Sequence, residues 1–170
     1  MTTTILAIDL GKFNSVFCWY DPGRHVSRYR SAPTTPEDVR RELTRQAVTR
    51  VVFEACSQAG WVHDLCEELH LPATVAGTTG AAWQWKHVKR KTDRDDALKL
   101  ARLAAVEQID AVPVPVPPRP IRQWKSLIGL RKRLVAERVR CQNRVRGLLV
   151  GQGLSAPLGA KAWSAAGLAV

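Results

Sequence analysis

Apolar positions in the chain fall into short unbroken runs near the N-terminus and into helical spacings further on. Thr3 to Leu10 (TTILAIDL) is apolar until Asp9 and predicts a strand buried on both faces. Gly11 follows and permits a turn. Ser15 to Tyr20 (SVFCWY) predicts a second strand, and Asp21-Pro22-Gly23 a hairpin turn. His25 to Arg30 (HVSRYR) alternates and predicts a third, more exposed strand. A helix is expected over Thr35 to Gln46: Thr35 can cap it, Pro36 suits its first position, and Glu37 and Asp38 suit its first turn. Arg50 to Ala55 (RVVFEA) is a strand with Glu54 near its end. Val62, Leu65 and Leu69 place a helix over Trp61 to His70, stopped by Pro72. Ala73 to Ala76 is a short strand, followed by a loop from Gly77 to Gly80.

A third helix is expected over Thr92 to Gln108, with Leu100, Leu103 and Ala104 as its apolar stripe. Val112 to Pro120 (VPVPVPPRP) is proline-rich and predicts an extended linker. Ile121 to Leu149 is a long helix with apolar positions at Leu127, Leu130, Leu134, Val135, Val145, Leu148 and Leu149. They form a partial seam suited to an antiparallel neighbour or a dimer. The opening meander followed by alternating helices and strands implies an α/β fold, a mixed sheet flanked by helices. The expected division is an α/β domain over 1–110, a linker over 111–120, a basic and coiled-coil-like helix over 121–150, and a flexible tail over 151–170.

Charge sharpens this division. From Met1 to Gly80 there are 8 Lys/Arg against 9 Asp/Glu, and from Ala81 to Val170 there are 18 against 6. Almost all of the net charge of +11 lies in the second half, as expected of a polyanion-binding face. The 45% hydrophobic content excludes general disorder. Cys18, Cys56, Cys66 and Cys141 form no C-x-x-C pair and no zinc-finger spacing, and Cys18 and Cys56, in apolar runs, read as small core residues. The N-terminus lacks a signal peptide, and no apolar run reaches the roughly 20 residues of a membrane span. A cytoplasmic location, with no membrane partner, is the expectation.

Four acids stand out. Asp9 and Glu54 each end a buried-looking strand, where a carboxylate is costly without a partner. Taken singly, each also reads as a turn or half-exposed strand residue. Neighbouring strand ends in an open α/β sheet share the edge where ligands bind. Two carboxylates there repel, and a divalent cation removes the conflict. In Lys91-Thr92-Asp93-Arg94-Asp95-Asp96-Ala97, Asp93 and Asp96 share a helix face while Asp95 points elsewhere. Acids at a helix start are ordinary in themselves. Together, Asp9, Glu54, Asp93 and Asp96 make a candidate catalytic set and Mg2+ site, with Mn2+ as a substitute ion. Two such ions about 4 Å apart can serve phosphodiester chemistry. Lys86, Lys89, Arg90, Lys91 and Arg94 surround the last two acids and could hold a phosphate. Trp83 and Trp85 could stack on bases or sit in a core. The long helix, with Arg119 at its approach, carries ten basic residues against Glu137 alone. Among them Arg122, Lys125, Arg131, Arg133, Arg138 and Arg144 are expected to bind nucleic acid.

These pieces, in this order, resemble the DEDD transposases of bridge-RNA-guided insertion sequences. AIDLGK around Asp9 resembles the family's first strand, VVFEA around Glu54 its second acidic strand, and KTDRDDA its K-T-D-x-x-D-A helix start. Asn143, Arg144, Leu148 and Leu149 resemble the N-R-x-x-x-L-L end of its basic helix. The resemblance covers roughly Ile5 to Gly153. It implies a ribonuclease H-like (RuvC-like) fold, four magnesium-binding acids, DNA substrates, a guide RNA and a multimeric complex, here a homo-oligomer joined through the long helix. Family members carry a further C-terminal domain whose serine links covalently to DNA. The chain stops short of it, and Ser155 and Ser164 lie in a Gly/Ala tail without a supporting framework. The expectation is therefore a truncated or split-off N-terminal domain.

Three other readings share parts of this pattern. A Holliday-junction resolvase-like nuclease would use the same acids, although the basic helix and proline-rich stretch suit it less. A small actin-like kinase or ATPase would explain IDLGKFNS as a phosphate loop, but it needs a second Gly-rich loop and a larger chain. A non-catalytic nucleic-acid-binding remnant would need only the basic helix.

Overall fold

The computed structural model describes residues 3–77, 92–107, 113–154 and 159–164. The chain separates into two units, Met1–Arg119 and Pro120–Val170.

The first unit is built on a five-stranded sheet: β1 (Ile5–Asp9), β2 (Asn14–Asp21), β3 (Val26–Pro33), β4 (Arg50–Glu54) and β5 (Ala73–Ala76), in the order β3-β2-β1-β4-β5. β1 pairs antiparallel with β2 and parallel with β4, and β5 continues parallel beyond β4. This is the mixed sheet expected from the meander and the helix-linked strands that follow it. Ile5 to Ile8 are all buried because β1 sits at the centre with both faces covered.

Strand alternation divides the core in two. Leu6, Ile8, Phe17, Val51, Phe53 and Val75 pack with α1 (Pro36–Leu43) and α2 (Ala59–Glu68). Ile5, Ala7, Cys18, Tyr20, Val52 and Ala76 pack with α3 (Asp93–Ala105). The buried stripe of α3 is Ala97, Leu100, Ala101 and Ala104, whereas Leu103 is only partly buried. Three alanines in that stripe let the helix approach the sheet closely.

Local chemistry sets the element ends. Thr35 caps α1, its hydroxyl accepting from the Asp38 amide at 3.1 Å, with Pro36 at the first position. α1 closes at Leu43, before the expected Gln46, and the Thr44 hydroxyl donates back to the Arg40 carbonyl at 2.9 Å. Asp21 shapes the hairpin by accepting from the Gly23 and Arg24 amides. α2 begins at Ala59, two residues before the expected Trp61. Its end is made before Pro72 is reached. His70 adopts φ 55°, Leu71 N–H donates to the Cys66 carbonyl at 2.9 Å, and His70 N–H to that of Glu67 at 3.0 Å. These are the two bonds of a Schellman motif.

Glu42 is fully buried at 0% exposure, and arginines surround it. Arg45 donates to it at 2.7 and 3.1 Å, and Arg30 from β3 approaches at 3.1 Å. A carboxylate at this depth is tolerable because it is paired, and the pairing ties α1 to the edge strand.

From Pro113 to Pro118 the proline-rich stretch is extended, with φ fixed at its prolines, whereas Arg119 and Pro120, expected to belong to it, are helical. Pro113 bridges Ala76, Val114 N–H donates to the Val75 carbonyl at 2.9 Å, and Val114 and Val116 pack on the α1/α2 side of the core. It therefore covers the β5 edge of the sheet.

The second unit is dominated by α4 (Arg119–Gly151), a 33-residue helix about 50 Å long by its rise per residue. None of its residues is buried. A 3₁₀ turn at Ala160–Trp163 follows, and the Arg146 guanidinium lies 5.3 Å from the centre of the Trp163 ring. Within unit 2, part of the tail thus folds onto α4.

Cys18 is a core residue as expected, but Cys56 is exposed: it lies beyond the end of β4, where alternation no longer governs burial. The second buried thiol is Cys66, on the inner face of α2. Burial pushes the Cys18 thiol up to about 11 and that of Cys66 to about 12. Native protein should therefore label rapidly with a thiol reagent at Cys56 and Cys141, and at Cys18 and Cys66 only after denaturation. Peptide mapping of the adducts checks this, and rapid native labelling of Cys66 would contradict the packing of α2. Leu100→Ala, which removes the largest side chain in the α3 stripe, should cost about 3 kcal/mol in urea unfolding.

Candidate metal centre

The site begins with the register between β1 and β4. Leu6 lies beside Val51, Ala7 beside Val52 and Ile8 beside Phe53, so the next residues in step are Asp9 and Glu54. Both strands run the same way, and both acids therefore reach the same edge of the sheet. Alternation places Asp9 on the face of Ile5 and Ala7, and Glu54 on the face of Val52, which is the face that α3 covers. Both acids are half-buried.

The start of α3 follows from a capping box. The Thr92 hydroxyl accepts from the Asp95 amide at 3.3 Å, and the Asp95 carboxylate accepts from the Thr92 amide at 3.1 Å and its hydroxyl at 2.6 Å. Asp95 is thus occupied in holding the helix end. Asp93 and Asp96 precede Ala97 and Leu100 by four residues and so continue the sheet-facing stripe. Asp93 is exposed and Asp96 half-buried, with its Oδ1 atom buried. Arg94 is exposed, its guanidinium 5.9 Å from the centre of the Tyr29 ring on β3.

The four acids therefore share one face of the fold, contributed by β1, β4 and α3. No three of them bring their ligand atoms within 4.8 Å of one another; among the described residues that spacing is met by His63, Asp64 and Glu67 on α2, across the sheet. Carboxylates gathered without a cation repel each other. The donor set suits a hard divalent cation: it is all carboxylate oxygen, it lies at convergent strand ends, and it includes a buried oxygen on Asp96.

The loops leaving Asp9 and Glu54 are tied together. The Gln58 Nε2 donates to the carbonyls of Gly11 at 3.2 Å and Lys12 at 3.4 Å. The Thr34 hydroxyl donates to the same Gly11 carbonyl at 2.9 Å, and Thr34 N–H to that of Phe13 at 2.8 Å. Gln58 stands at the N-cap of α2, yet its side chain makes no cap bond and serves the neighbouring loop instead. Gln58 was not singled out by sequence reasoning, and Lys12 and Phe13 entered it only as part of the run IDLGKFNS, where the glycine two residues after Asp9 signals the turn.

Of the expected nucleic-acid contacts, Lys86, Lys89, Arg90 and Lys91 lie outside the described residues, as do Trp83 and Trp85. On α4, Lys125, Arg131, Arg133, Arg138 and Arg144 are exposed and Arg122 is half-buried. They do not form a single strip. Arg131 and Arg138 border a shallow apolar groove lined by Leu127, Leu130, Leu134 and Val135. Helical spacing turns Lys125, Arg133 and Arg144 away from that groove.

A family described as transposase, the DEDD type of IS110 elements, matches residues 6–152. The chain belongs to this DEDD transposase family. Among solved structures, the transposase chain is similar to the fowlpox virus Holliday junction resolvase, with 18% identity and a TM-score of 0.36 over 46% of this chain. The match spans 64% of the resolvase, less than two thirds of its length. It is also similar to the catalytic core domain of BIV integrase, with 12% identity and a TM-score of 0.33 over 63% of this chain and 72% of that one. No curated protein matches its sequence. No helix among the described residues of the transposase chain is long and apolar enough to cross a membrane.

The turn after Asp9 has little room. A Cβ on Gly11 would lie 2.1 Å from the Asn14 carbonyl oxygen, a backbone atom that cannot rotate away. Gly11→Ala should displace the turn and lower stability by about 2 kcal/mol. A thermal melt unchanged from the parent protein would show that the turn is not held as described.

Proposed function

We propose that this chain carries the metal-dependent centre of a DNA transposase, with Asp9, Glu54, Asp93 and Asp96 as its catalytic acids. The observation that supports this most is the parallel β1–β4 register, which sends two carboxylates from distant parts of the sequence to adjacent strand ends under the helix that begins with the other two. These residues would hold Mg2+, with Mn2+ as a substitute. When bound, the metal supplies positive charge to the attacking and leaving oxygens of a phosphodiester.

The protein's own groups do the rest. Asp9 and Glu54 are anchored by strand pairing, so their carboxylates are positioned before substrate arrives. Asp93 and Asp96 are fixed by the capped first turn of α3. Arg94, exposed in the first turn of α3, would hold a backbone phosphate beside the acids, since guanidinium donors match phosphate oxygens. Lys86, Lys89, Arg90 and Lys91 precede α3 in the chain and extend the same proposal. The bases of α4 supply non-specific attraction to DNA, and to a guide RNA as a second polyanion. The exposed apolar groove of α4 supports the reading that this helix meets another copy of itself.

Calorimetric titration of Mn2+ into the chain tests the centre. Saturable binding is expected, abolished in Asp9→Asn and in Asp96→Asn while the far-ultraviolet circular dichroism of both stays unchanged. The same variants, placed in a transposition-competent protein, should lose transposition. Wild-type metal binding or activity in either variant would overturn the assignment.

A further inference from the structure

We propose that the β1–β2 turn is a DNA-strand platform at the carboxylate edge, with Phe13 stacking on an unpaired base and Lys12 holding the adjacent phosphate. This rests on the reading that DNA is processed at the four acids.

Phe13 is 73% exposed and, among the described residues of the first unit, is the exposed aromatic. Single exposed apolar residues are common on protein surfaces, so exposure alone decides nothing. Its support is the distinguishing feature. Phe13 stands on a turn whose carbonyls at Gly11, Lys12 and Phe13 are all bonded from outside, by Gln58 and Thr34. The turn also admits no side chain at Gly11. A large apolar ring is thus held out in water by a rigid backbone and cannot relax onto the core. Lys12 accompanies it, its Nζ 5.0 Å from the centre of the ring. A cation beside an exposed ring is the pairing that single-stranded nucleic acid uses, the ring for a base and the charge for its phosphate.

Location agrees with this role. Phe13 is four residues beyond Asp9, so their Cα atoms lie within about 14 Å by chain reach. Gln58, which holds the turn, is four residues beyond Glu54. The platform is therefore braced by the loops that leave the two strand-end acids, and a DNA strand reaching those acids runs beside it.

Fluorescence anisotropy with a labelled single-stranded DNA oligonucleotide tests the proposal on the whole chain. Both residues are exposed, so their substitution leaves the core intact. Phe13→Ala should weaken binding about tenfold, the scale of one stacked base, and Phe13→Trp should restore it. On the same strand carrying abasic sites, wild type and Phe13→Ala should bind alike. Lys12→Ala should reduce the slope of log affinity against log salt by about 0.7, the loss of one phosphate contact on a single strand. Tight wild-type binding unaltered by Phe13→Ala overturns the platform and leaves the reading of the acids standing. A Phe13→Ala deficit that persists on abasic DNA also overturns it, because the ring would then act through structure and not by stacking. A wild-type chain that fails to bind the strand overturns the platform and the DNA reading together.

Discussion

The structure depends on one pairing, the parallel ladder between β1 and β4. Those strands are separated in sequence by a hairpin and a helix, and parallel pairing requires such a crossover. The register that joins them brings Asp9 and Glu54 into step at a common end. A slip of one residue would move every side chain of a strand to the opposite face. The hydrophobic runs on both sides of β1 forbid that slip: Leu6 and Ile8 are committed to the α1/α2 side, Ile5 and Ala7 to the α3 side. Core packing thus sets the position of the acids.

The same logic extends to α3. Its alanine-rich stripe lets the helix lie close on the sheet, and its capping box determines where the helix starts. Within the run from Thr92 to Ala97, Thr92 and Asp95 hold the helix end, Ala97 is buried, and Asp93 and Asp96 fall on the side of the helix that continues its buried stripe. Concentrating acids here has an electrostatic cost that the proposed divalent cation would offset. The buried Glu42 shows the other solution available to a carboxylate. It is neutralised by arginines of its own chain, so it ties α1 to β3 and leaves no demand for an external cation.

The two units follow different physical rules. The first buries its apolar residues between a sheet and helices on both sides. The second leaves Leu127, Leu130, Leu134 and Leu148 exposed along one long helix, interleaved with arginines. A helix with that surface is suited to contacts with other molecules, apolar along the groove and cationic around it.

Much of this was legible in the residues themselves. The strand at β1, the β2–β3 turn, the capped starts of α1 and α3, and the exposed character of β3 each follow from local patterns, because alternation, turn chemistry and caps act over a few residues. So does the family, through KTDRDDA and the acids that precede it, since motif chemistry is written in order and spacing. Other features depended on the tertiary structure. The end of α2 came from a Schellman motif at His70 before Pro72 was reached, the proline-rich stretch was drawn onto the edge of β5, and Cys56 was left outside the core while Cys66 went in. The bracing of the Gly11–Phe13 turn by Gln58 and Thr34 was equally invisible. The sequence by itself determined which residues could form strands, caps and an acidic set. Only the tertiary structure decided which of them became neighbours, because register and packing are contacts between residues tens of positions apart.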